Sequence, residues 1–469
     1  MSSVSQEHLL PQVAQAVLNV LSDAPQKVAR SSGFVQRQSK TSGVTGANFV
    51  QMLVLGWLSN PNAPLDALVQ FGADVGVQLT PQGLEQRFTA PAVTLLRQVF
   101  EAALAQVVVA DPVAIPLLDR FATVVLEDSS SVRLPDALRE VFAGCGGSHA
   151  GKRTSSAFKV FVRLDMLRGQ LHCSRLLDGR HADSKTPFKQ VENAPGTLHV
   201  RDRGFVDLVR WQQEAEHGEY MLSYYKAGMH LLSQEGHVIQ IGDWLSSLVG
   251  STAQREVLGG AEARVPMRLL VERLPDEVRK QRVAHLQAEA QKHGRCISEQ
   301  NMQLAGWTLI LTTAGPELLS LSQALVLLRL RWQLELLFKL WKQHGQLDCW
   351  RSANTERIQC EIYAKLIGLL LQHWLLIVGC WQDPHRSVLK AAKAVQTRAI
   401  LFAVALTGGM LLVEALRRTQ CATQRGSRLN SRRGAPNTSQ MLMTGINIWD
   451  SKPHKPKKRG RKKTQQFLA

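Results

Sequence analysis

The 469-residue chain is 45% hydrophobic and 20% charged, a composition that indicates a globular protein with a substantial core and excludes a low-complexity or fibrous chain. Its 56 Lys and Arg against 38 Asp and Glu give a formal charge of +18, which favours a polyanionic partner, most simply nucleic acid. Seven widely spaced cysteines without a Cys-x-x-Cys pair argue against structural zinc or a disulfide framework. They favour a reducing compartment, and the N-terminus lacks the features of a signal peptide, so we expect a cytoplasmic protein.

Residues 1–115 have the pattern of a helical domain. Apolar residues recur at helical spacing over 9–20, and the run 49–58 predicts a second, mostly buried helix. Thr80-Pro81 offers a helix N-cap followed by proline at the first helical position, and another helix is expected to begin near residue 89. Short helices joined by tight turns are compatible with a helix-turn-helix, so DNA binding is the predicted role of this domain.

From residue 116 to 229 the pattern changes to short apolar segments separated by turns. They predict a mixed sheet with a helix, hence an α/β domain. The predicted strands are 123–126, 157–164, 170–177, 197–200 and 220–225, and the predicted helix is 205–216.

Residues 230–315 predict an inserted, β-rich subdomain, with strands at 238–241, 265–271 and 307–312 and a charged helix at 276–293. Residues 316–416 predict a long helix at 318–343 and two apolar helices at 356–381 and 388–416. The apolar run 366–381 is shorter than the roughly 20 residues that a membrane span needs, so a buried helix is expected.

The polar segment 417–469 is predicted to be a disordered basic tail. Its section from Arg417 to Lys463 has 14 basic residues and one acid, which leaves a net charge of only +5 for the rest of the chain. The Arg-Gly-Arg at 459–461 lies among lysines and is compatible with an A·T-rich minor groove. Sequence-independent attraction to phosphates is the alternative, and it is the one we favour.

Two aspartates follow predicted strands. Asp128 comes after the strand at 123–126 and Asp202 after the strand at 197–200. Carboxylates at the ends of neighbouring strands converge at one edge of a sheet, although Asp is also a common turn residue. With a third carboxylate from a helix, they would provide the oxygen ligands that Mg²⁺ prefers, in a site suited to phosphodiester cleavage.

A charged stripe on the predicted helix 318–343 offers that third carboxylate. At about 100° per residue, Lys342, Glu335 and Lys339 lie at roughly 20°, 40° and 80° from Arg331. The simplest interpretation is a solvated helix with ion pairs between residues four apart. The alternative is a metal-binding carboxylate flanked by cations that hold a phosphate backbone.

The segments around these residues carry a specific resemblance. Leu-Glu-Asp-Ser-Ser-Ser at 126–131, Arg-Asp-Arg-Gly-Phe at 201–205 and the segment 331–342 resemble the DDE transposases of bacterial insertion sequences. The match is to the insertion-sequence-four family, whose third-carboxylate helix carries a Tyr, Arg, Glu, Lys signature, and it runs from about residue 30 to 410. The spacings of the Arg, Glu and Lys of that signature are met here, but Leu328 stands at the Tyr position, on the charged stripe.

This resemblance implies a ribonuclease-H-like fold with a β-rich insertion and a site that uses Mg²⁺, as two ions, with Mn²⁺ as a substitute. The metal ligands and catalytic residues implied are Asp128, Asp202 and Glu335. The DNA-binding residues implied are Arg203, Arg331, Lys339, Lys342 and Trp307, the last as a platform for a flipped base. For Trp307, burial in the strand 307–312 is the alternative.

The implied function is DNA transposition. The protein would bind the ends of its insertion sequence, hydrolyse a phosphodiester there and transfer the freed 3′-hydroxyl, as a homodimer in the synaptic complex and associated with the nucleoid. Two alternatives stay open. One is a metal-dependent nuclease of the same fold that does not transpose, and the other is a catalytically inactive, DNA-binding relative.

Overall fold

The structure is a computed structural model, and it describes residues 9–35, 43–145, 148–149, 152–153, 156–292, 294, 296–429 and 437–446. It has a mixed α/β architecture, as predicted, in which one large sheet is combined with many helices. The basic segment 447–469, with its Arg-Gly-Arg, lies outside the described residues, and its predicted role stays a prediction.

Helices form the described part of the N-terminal segment, as the spacing of its apolar residues predicts. Thr80 caps its helix by accepting a hydrogen bond from the Gly83 amide, with Pro81 in the first turn. The buried run at 49–58 lies within one helix that packs against a C-terminal helix. The six helices are α1 (Leu9–Leu18), α2 (Ala24–Val28), α3 (Gly46–Ser59), α4 (Leu65–Asp74), α5 (Pro81–Glu85) and α6 (Ala90–Leu104).

Twelve strands follow in the part of the chain that the structure describes. They are β1 (Thr123–Arg133), β2 (Ser148–His149), β3 (Lys152–Arg153), β4 (Ala157–Asp165), β5 (Leu171–Cys173), β6 (Leu177–Asp178), β7 (Thr197–Arg201), β8 (Tyr220–Tyr224), β9 (Leu231–Leu232), β10 (Thr252–Gly259), β11 (Val265–Arg273) and β12 (Trp307–Thr312). The helices among them are α7 (Leu208–Glu216), α8 (Ile241–Ser247), α9 (Asp276–Lys292) and α10 (Glu299–Leu304). The predicted strands at 157–164, 197–200, 220–225, 265–271 and 307–312 are confirmed to within two residues at each end.

Ten of these strands form a single sheet. Nine of them follow the order β5-β4-β1-β7-β8-β12-β11-β10-β9, and the tenth, β6, pairs with β4. The strands β5, β4 and β1 pair antiparallel, whereas β7 lies parallel to β1 and β8 parallel to β7. The sheet therefore changes from antiparallel to parallel at β1, and this strand has β4 on one side and β7 on the other.

Strands from the predicted insertion extend this sheet. β12 pairs with β8, and β11, β10 and β9 continue outward from it, over a hydrophobic cluster of their own. The predicted strand at 238–241 is wrong: Val238 makes only an isolated bridge to Leu232, and α8 begins at Ile241. The strand β10 was not predicted, because its burial alternates between exposed and partly exposed residues and it lacks an apolar face over most of its length.

Of the three helices predicted for residues 316–416, the one at 356–381 is found within one residue at each end, and the other two are divided. The helix predicted at 318–343 is divided into two at Arg331, which keeps helical dihedrals (φ −53°, ψ −30°), and it ends in a π-helical turn, Leu340–His344. The helix predicted at 388–416 is three helices. The helices of this region are α11 (Leu321–Leu330), α12 (Trp332–Lys339), α13 (Thr355–Cys380), α14 (Val388–Gln396), α15 (Ala399–Leu406), α16 (Leu412–Gly426) and α17 (Thr438–Thr444).

Part of the predicted disordered tail is folded, so that prediction is wrong for residues 417–426 and 438–444. In α16, Thr419 and Thr423 are buried, and Gln420 donates a hydrogen bond to the Val378 carbonyl of α13 at 3.3 Å. Met441 and Leu442 of α17 are also buried. The basic residues of α16, Arg417, Arg418 and Arg425, lie on the exposed face of an amphipathic helix, which composition alone did not separate from a tail.

The helix α13 is long and apolar enough to span a membrane by length and composition, but its most apolar window is completely buried inside the protein. It packs against α3 and α6 of the N-terminal segment and against α14 and α16. It is thus the central helix of a helical layer, as expected for a buried apolar run.

Candidate active site

The two predicted aspartates lie where two parallel strands separate. β1 pairs with β7 only as far as Glu127 and Arg201, and Asp128 and Asp202 are the next residue in each chain segment. Asp128 was predicted to follow the end of its strand. In the structure β1 continues to Arg133 in its pairing with β4, so Asp128 lies within the strand. The two carboxylates still share one edge, since the parallel neighbour of β1 ends there.

The side chain of Arg331 brings the third carboxylate to these two. Its Nη2 lies 2.8 Å from Oε1 of Glu335 and its Nη1 3.3 Å from Oδ2 of Asp128, and its Nε lies 3.8 Å from Oδ1 of Asp202. One guanidinium therefore contacts all three predicted carboxylates. From the sequence, Arg331 was predicted to bind DNA next to the three carboxylates. Its place among all three was not predicted.

Asp128 is the most enclosed of the three, with 17% of its side chain exposed against 35% for Glu335 and 43% for Asp202. Burial raises the pKa of Asp128 to about 6, since the Ser129 amide and Arg331 compensate only in part and the charges of Asp202 and Asp183 add to the increase. The site thus holds more negative charge than its own cation neutralises, which favours a further cation.

The other predicted basic residues lie around this edge. Lys342 donates a hydrogen bond to the Ser131 carbonyl at 2.9 Å, which ties the π-helical turn to β1. Lys339 is exposed on α12, and Arg203 is exposed directly after Asp202 with its guanidinium 5.4 Å from the ring centre of Tyr224. The structure therefore places Lys339 and Arg203 at the surface and Lys342 partly in contact with the sheet.

Leu328, which the predicted angle places with the charged residues of the stripe, is buried in the structure. It is 2% exposed and belongs to the main hydrophobic core. Arg331, between α11 and α12, keeps helical dihedrals (φ −53°, ψ −30°), but six of the ten residues of α11 are buried, so a residue of α11 at this angle packs in the core. An apolar residue at this position is what the core requires.

Two tryptophans differ sharply in exposure. Trp307 is 9% exposed in β12, and the guanidinium of Arg273 lies 4.7 Å from its ring centre, which matches the alternative of a buried strand residue rather than an open stacking surface. Trp332, between Arg331 and Glu335, is 57% exposed and lies one turn from Leu336, which is 42% exposed. No role was predicted for Trp332 from the sequence, although an aromatic residue directly after Arg331 is visible there.

A fourth carboxylate lies beside the site. Asp183 accepts a hydrogen bond from the Ser129 hydroxyl at 2.6 Å and from Lys159 at 3.1 Å. It belongs to a short 3-10 turn in the connection between β6 and β7. No motif marks this residue in the sequence, and only the folding of that connection over β1 brings it here.

The donor set suits a divalent cation. Carboxylate oxygens are the ligands that Mg²⁺ and Mn²⁺ prefer, and one guanidinium already occupies a cationic position among them. Another group, formed by His199, Glu214 and Glu219, has ligand atoms within 4.8 Å of one another. Both oxygens of Glu214 accept hydrogen bonds from Arg201, so this group is part of an ion-pair network and is the weaker candidate.

Known proteins resemble this chain over most of its length. The sequence profile of the transposase DDE domain matches residues 119–371. The transposase for insertion sequence element IS231F of Bacillus thuringiensis subsp. israelensis is 26% identical over 386 residues, which is 78% of this chain and 80% of that protein. The transposase for insertion sequence element IS1151 of Clostridium perfringens is 24% identical over 378 residues, 75% of this chain and 78% of that protein.

Among solved structures, a similar chain is found in the cryo-EM structure of the piggyBac transposase synaptic complex with hairpin DNA. The two chains have a TM-score of 0.44 and 9% sequence identity, and the alignment covers 91% of this chain and 87% of that one.

Proposed function

Since this chain belongs to the transposase DDE domain family and is a DNA transposase, we propose that Asp128, Asp202 and Glu335 are the catalytic carboxylates with which it cuts and joins DNA. The observation that carries the proposal is the convergence of all three on the guanidinium of Arg331. The three residues come from distant parts of the chain, and nothing in the pairing of β1 with β7 requires a helix carboxylate to join them.

The strand order supports a ribonuclease-H-like catalytic domain. Three antiparallel strands, β5, β4 and β1, are followed by two parallel ones, β7 and β8, with the proposed aspartates on the two central strands or directly after them. On this interpretation, residues 116–229 begin the catalytic domain, residues 230–315 are its insertion and α12 completes it.

Asp128, Asp202 and Glu335 would hold the divalent metal that the family uses, and we propose Mg²⁺, as two ions, with Mn²⁺ as a substitute. A bound divalent cation lowers the pKa of the attacking hydroxyl and stabilises the leaving oxygen of the phosphodiester. The carboxylates supply fixed oxygen ligands and negative charge, and no side chain acts as a covalent nucleophile.

Arg331 has a double role in this proposal. In the DNA-free protein its guanidinium neutralises part of the carboxylate charge. Arg331 and a divalent cation compete for the same oxygens, so the guanidinium becomes available to a DNA phosphate when the site is loaded. Lys339 and Arg203, which are exposed nearby, and Lys342 extend the basic surface along which the DNA backbone would lie.

The partners proposed are the ends of the insertion sequence and the target DNA, with two copies of the chain in the synaptic complex and a site of action at the nucleoid in the cytoplasm. A metal-dependent nuclease of the same fold is the second candidate. It would use the same carboxylates, and it differs in sequence-specific end binding and strand transfer.

The experiment that tests the proposal uses the purified full chain and a duplex that ends in the inverted repeat flanking its gene, with a scrambled duplex of equal length as the control. In Mg²⁺ we expect a nick at the repeat end and joining of the 3′-hydroxyl to a target plasmid, both lost in EDTA. Equal cutting of both duplexes without joined products would support the nuclease instead, and the absence of any cutting would support an inactive relative.

We further propose that Trp332, rather than Trp307, contacts an unstacked base at the element end. Stacking of a base on an aromatic ring contributes about 1–3 kcal/mol, so Trp332→Ala should lower cleavage of the end duplex by about tenfold. Because Trp332 is 57% exposed, its loss should leave the melting temperature within a few degrees of wild type. Trp332→Phe keeps an aromatic ring and should retain most of the activity.

Trp307→Ala is the matched variant, and it should lower the melting temperature because the side chain is 9% exposed and packs in the core of the extended sheet. The fluorescence of 2-aminopurine placed at each position of the end duplex reports base unstacking. An unstacking signal that disappears in folded Trp307→Leu but persists in Trp332→Ala would assign the base to Trp307.

A further inference from the structure

A network of buried charges lies directly behind the two proposed metal ligands. Glu127 and Arg201 immediately precede Asp128 and Asp202, and they are register partners in the parallel pairing of β1 with β7. Successive strand residues point to opposite faces, so Glu127 and Arg201 point away from the carboxylate site. They meet side chains of α7, whereas Asp128 meets Arg331 at the start of α12.

Two arginines and two glutamates form the centre of this network. Both guanidiniums bridge both carboxylates: Arg201 donates to Glu127 at 3.1 Å and to Glu214 at 2.6 and 2.7 Å, and Arg210 donates to Glu127 at 2.9 and 3.1 Å and to Glu214 at 2.8 Å. Glu127 is fully buried, and the other three are between 1% and 8% exposed.

The network continues across the sheet. Arg163 of β4 is the register partner of Glu127 on the other side of β1, so a cation, an anion and a cation lie next to one another on three adjacent strands. Glu219 accepts hydrogen bonds from His199 at 2.6 Å and from Asn193 at 2.8 Å, and Asn193 in turn contacts Arg163.

The charges in this network are maintained rather than neutralised. Both carboxylate oxygens of Glu127 accept hydrogen bonds from guanidinium groups, Oε1 from Arg201 and Arg210 and Oε2 from Arg210, so the buried charge is paired on both oxygens. A buried ion-pair network seldom stabilises a fold more than well-packed apolar residues would, whereas removing one member leaves an unpaired charge that is strongly destabilising. Stability alone therefore does not account for charges at this position, and their place behind Asp128 and Asp202 points to the site.

We propose that Glu127, Arg201, Arg210 and Glu214 are positioning residues that fix the spacing of the Asp128 and Asp202 carboxylates and so preform the metal site of the transposase. The ion pair between Glu127 and Arg201 fixes the register of β1 against β7 at the last pair before the strands separate. The inference rests on the proposed function, because it takes Asp128 and Asp202 as metal ligands.

The test measures binding of Mn²⁺ to the full chain without DNA, from the loss of the electron paramagnetic resonance signal of free Mn²⁺, together with the melting temperature. Outer-shell partners of metal ligands typically change metal affinity by 10–100-fold, so Glu127→Gln should raise the Mn²⁺ dissociation constant by about tenfold or more. Cleavage of the end duplex should recover at high Mn²⁺, since the ligands themselves are intact.

Glu361→Gln is the matched control. Glu361 pairs with Lys365 at 2.8 Å within α13, and both side chains are 3–5% exposed, so its loss also leaves an unpaired buried charge. We expect Glu361→Gln to lower the melting temperature and leave Mn²⁺ affinity at the wild-type value. If Glu127→Gln and Glu361→Gln both lower only the melting temperature, the network is structural and the proposal is overturned.

Arg201→Lys provides the test if Glu127→Gln does not fold. Lysine keeps the charge but cannot bridge Glu127 and Glu214 as the guanidinium does. Folded Arg201→Lys should bind Mn²⁺ severalfold more weakly, and wild-type affinity would overturn the proposal. Asp128→Asn distinguishes failure of the proposed function from failure of this inference. If Asp128→Asn retains Mn²⁺ binding, the proposed metal site is wrong. If Asp128→Asn loses Mn²⁺ binding while Glu127→Gln keeps wild-type affinity, only the positioning role is rejected.

Discussion

Asp128→Asn, Asp202→Asn and Glu335→Gln should each abolish detectable cleavage of the end duplex in Mg²⁺. Removal of one group that stabilises charge in a transition state costs about 10²–10³-fold in rate, and here the loss of metal ligation adds to that cost. The folded state should be unaffected or stabilised, because the three carboxylates repel one another around a single guanidinium. Gel analysis of the cleaved duplex, with the melting temperature and end binding of each variant, checks this.

Asp178→Asn is a suitable control for the triad. Asp178 lies on β6 of the same sheet and its side chain is 39% exposed, close to the 43% of Asp202, but it pairs with Arg180. This variant should cleave at the wild-type rate. If one of the triad variants retains Mg²⁺-dependent cleavage, the residue replaced in it is not a metal ligand.

The second large effect is expected for Arg331→Ala. The variant loses a charge-assisted contact to the DNA phosphate and should cleave the end duplex at least about tenfold more slowly. It also loses the cation that competes for the three carboxylates, so Mn²⁺ should bind the DNA-free variant more tightly than it binds the wild type. Opposite changes in metal binding and cleavage distinguish this role from a simple loss of metal ligands.

Arg418→Ala is the control for Arg331→Ala, because Arg418 is 56% exposed and pairs with Glu414 on α16. A surface ion pair between residues four apart contributes about 0.2–0.5 kcal/mol, so this variant should change neither metal binding nor cleavage. The same result for Arg331→Ala would mean that Arg331 merely pairs with Glu335 at the surface.

Lys342→Ala should also lower cleavage, and its hydrogen bond to Ser131 predicts a small loss of stability as well.

The family, the α/β class and the identity of the three candidate carboxylates could be predicted from the sequence. Short-range patterns carry this information: the apolar β-branched runs before Asp128 and Asp202 predict strands, and the spacing from Arg331 to Glu335 and Lys342 is independent of how the helix packs. The sequence match to transposases then confirms the resemblance on which the function was inferred.

Only the tertiary structure decided which of these residues meet and which are buried. Contacts with other segments bury most of α11, so Leu328 lies in the core, whereas Trp332 at the start of α12 is exposed, and the periodicity of 318–343 does not distinguish the two. Asp183 and the charges behind Asp128 come together through strand register and a connecting turn, so no local pattern marks them. Side-chain burial depends on contacts between segments that are distant in sequence, and helical or strand periodicity describes each segment alone.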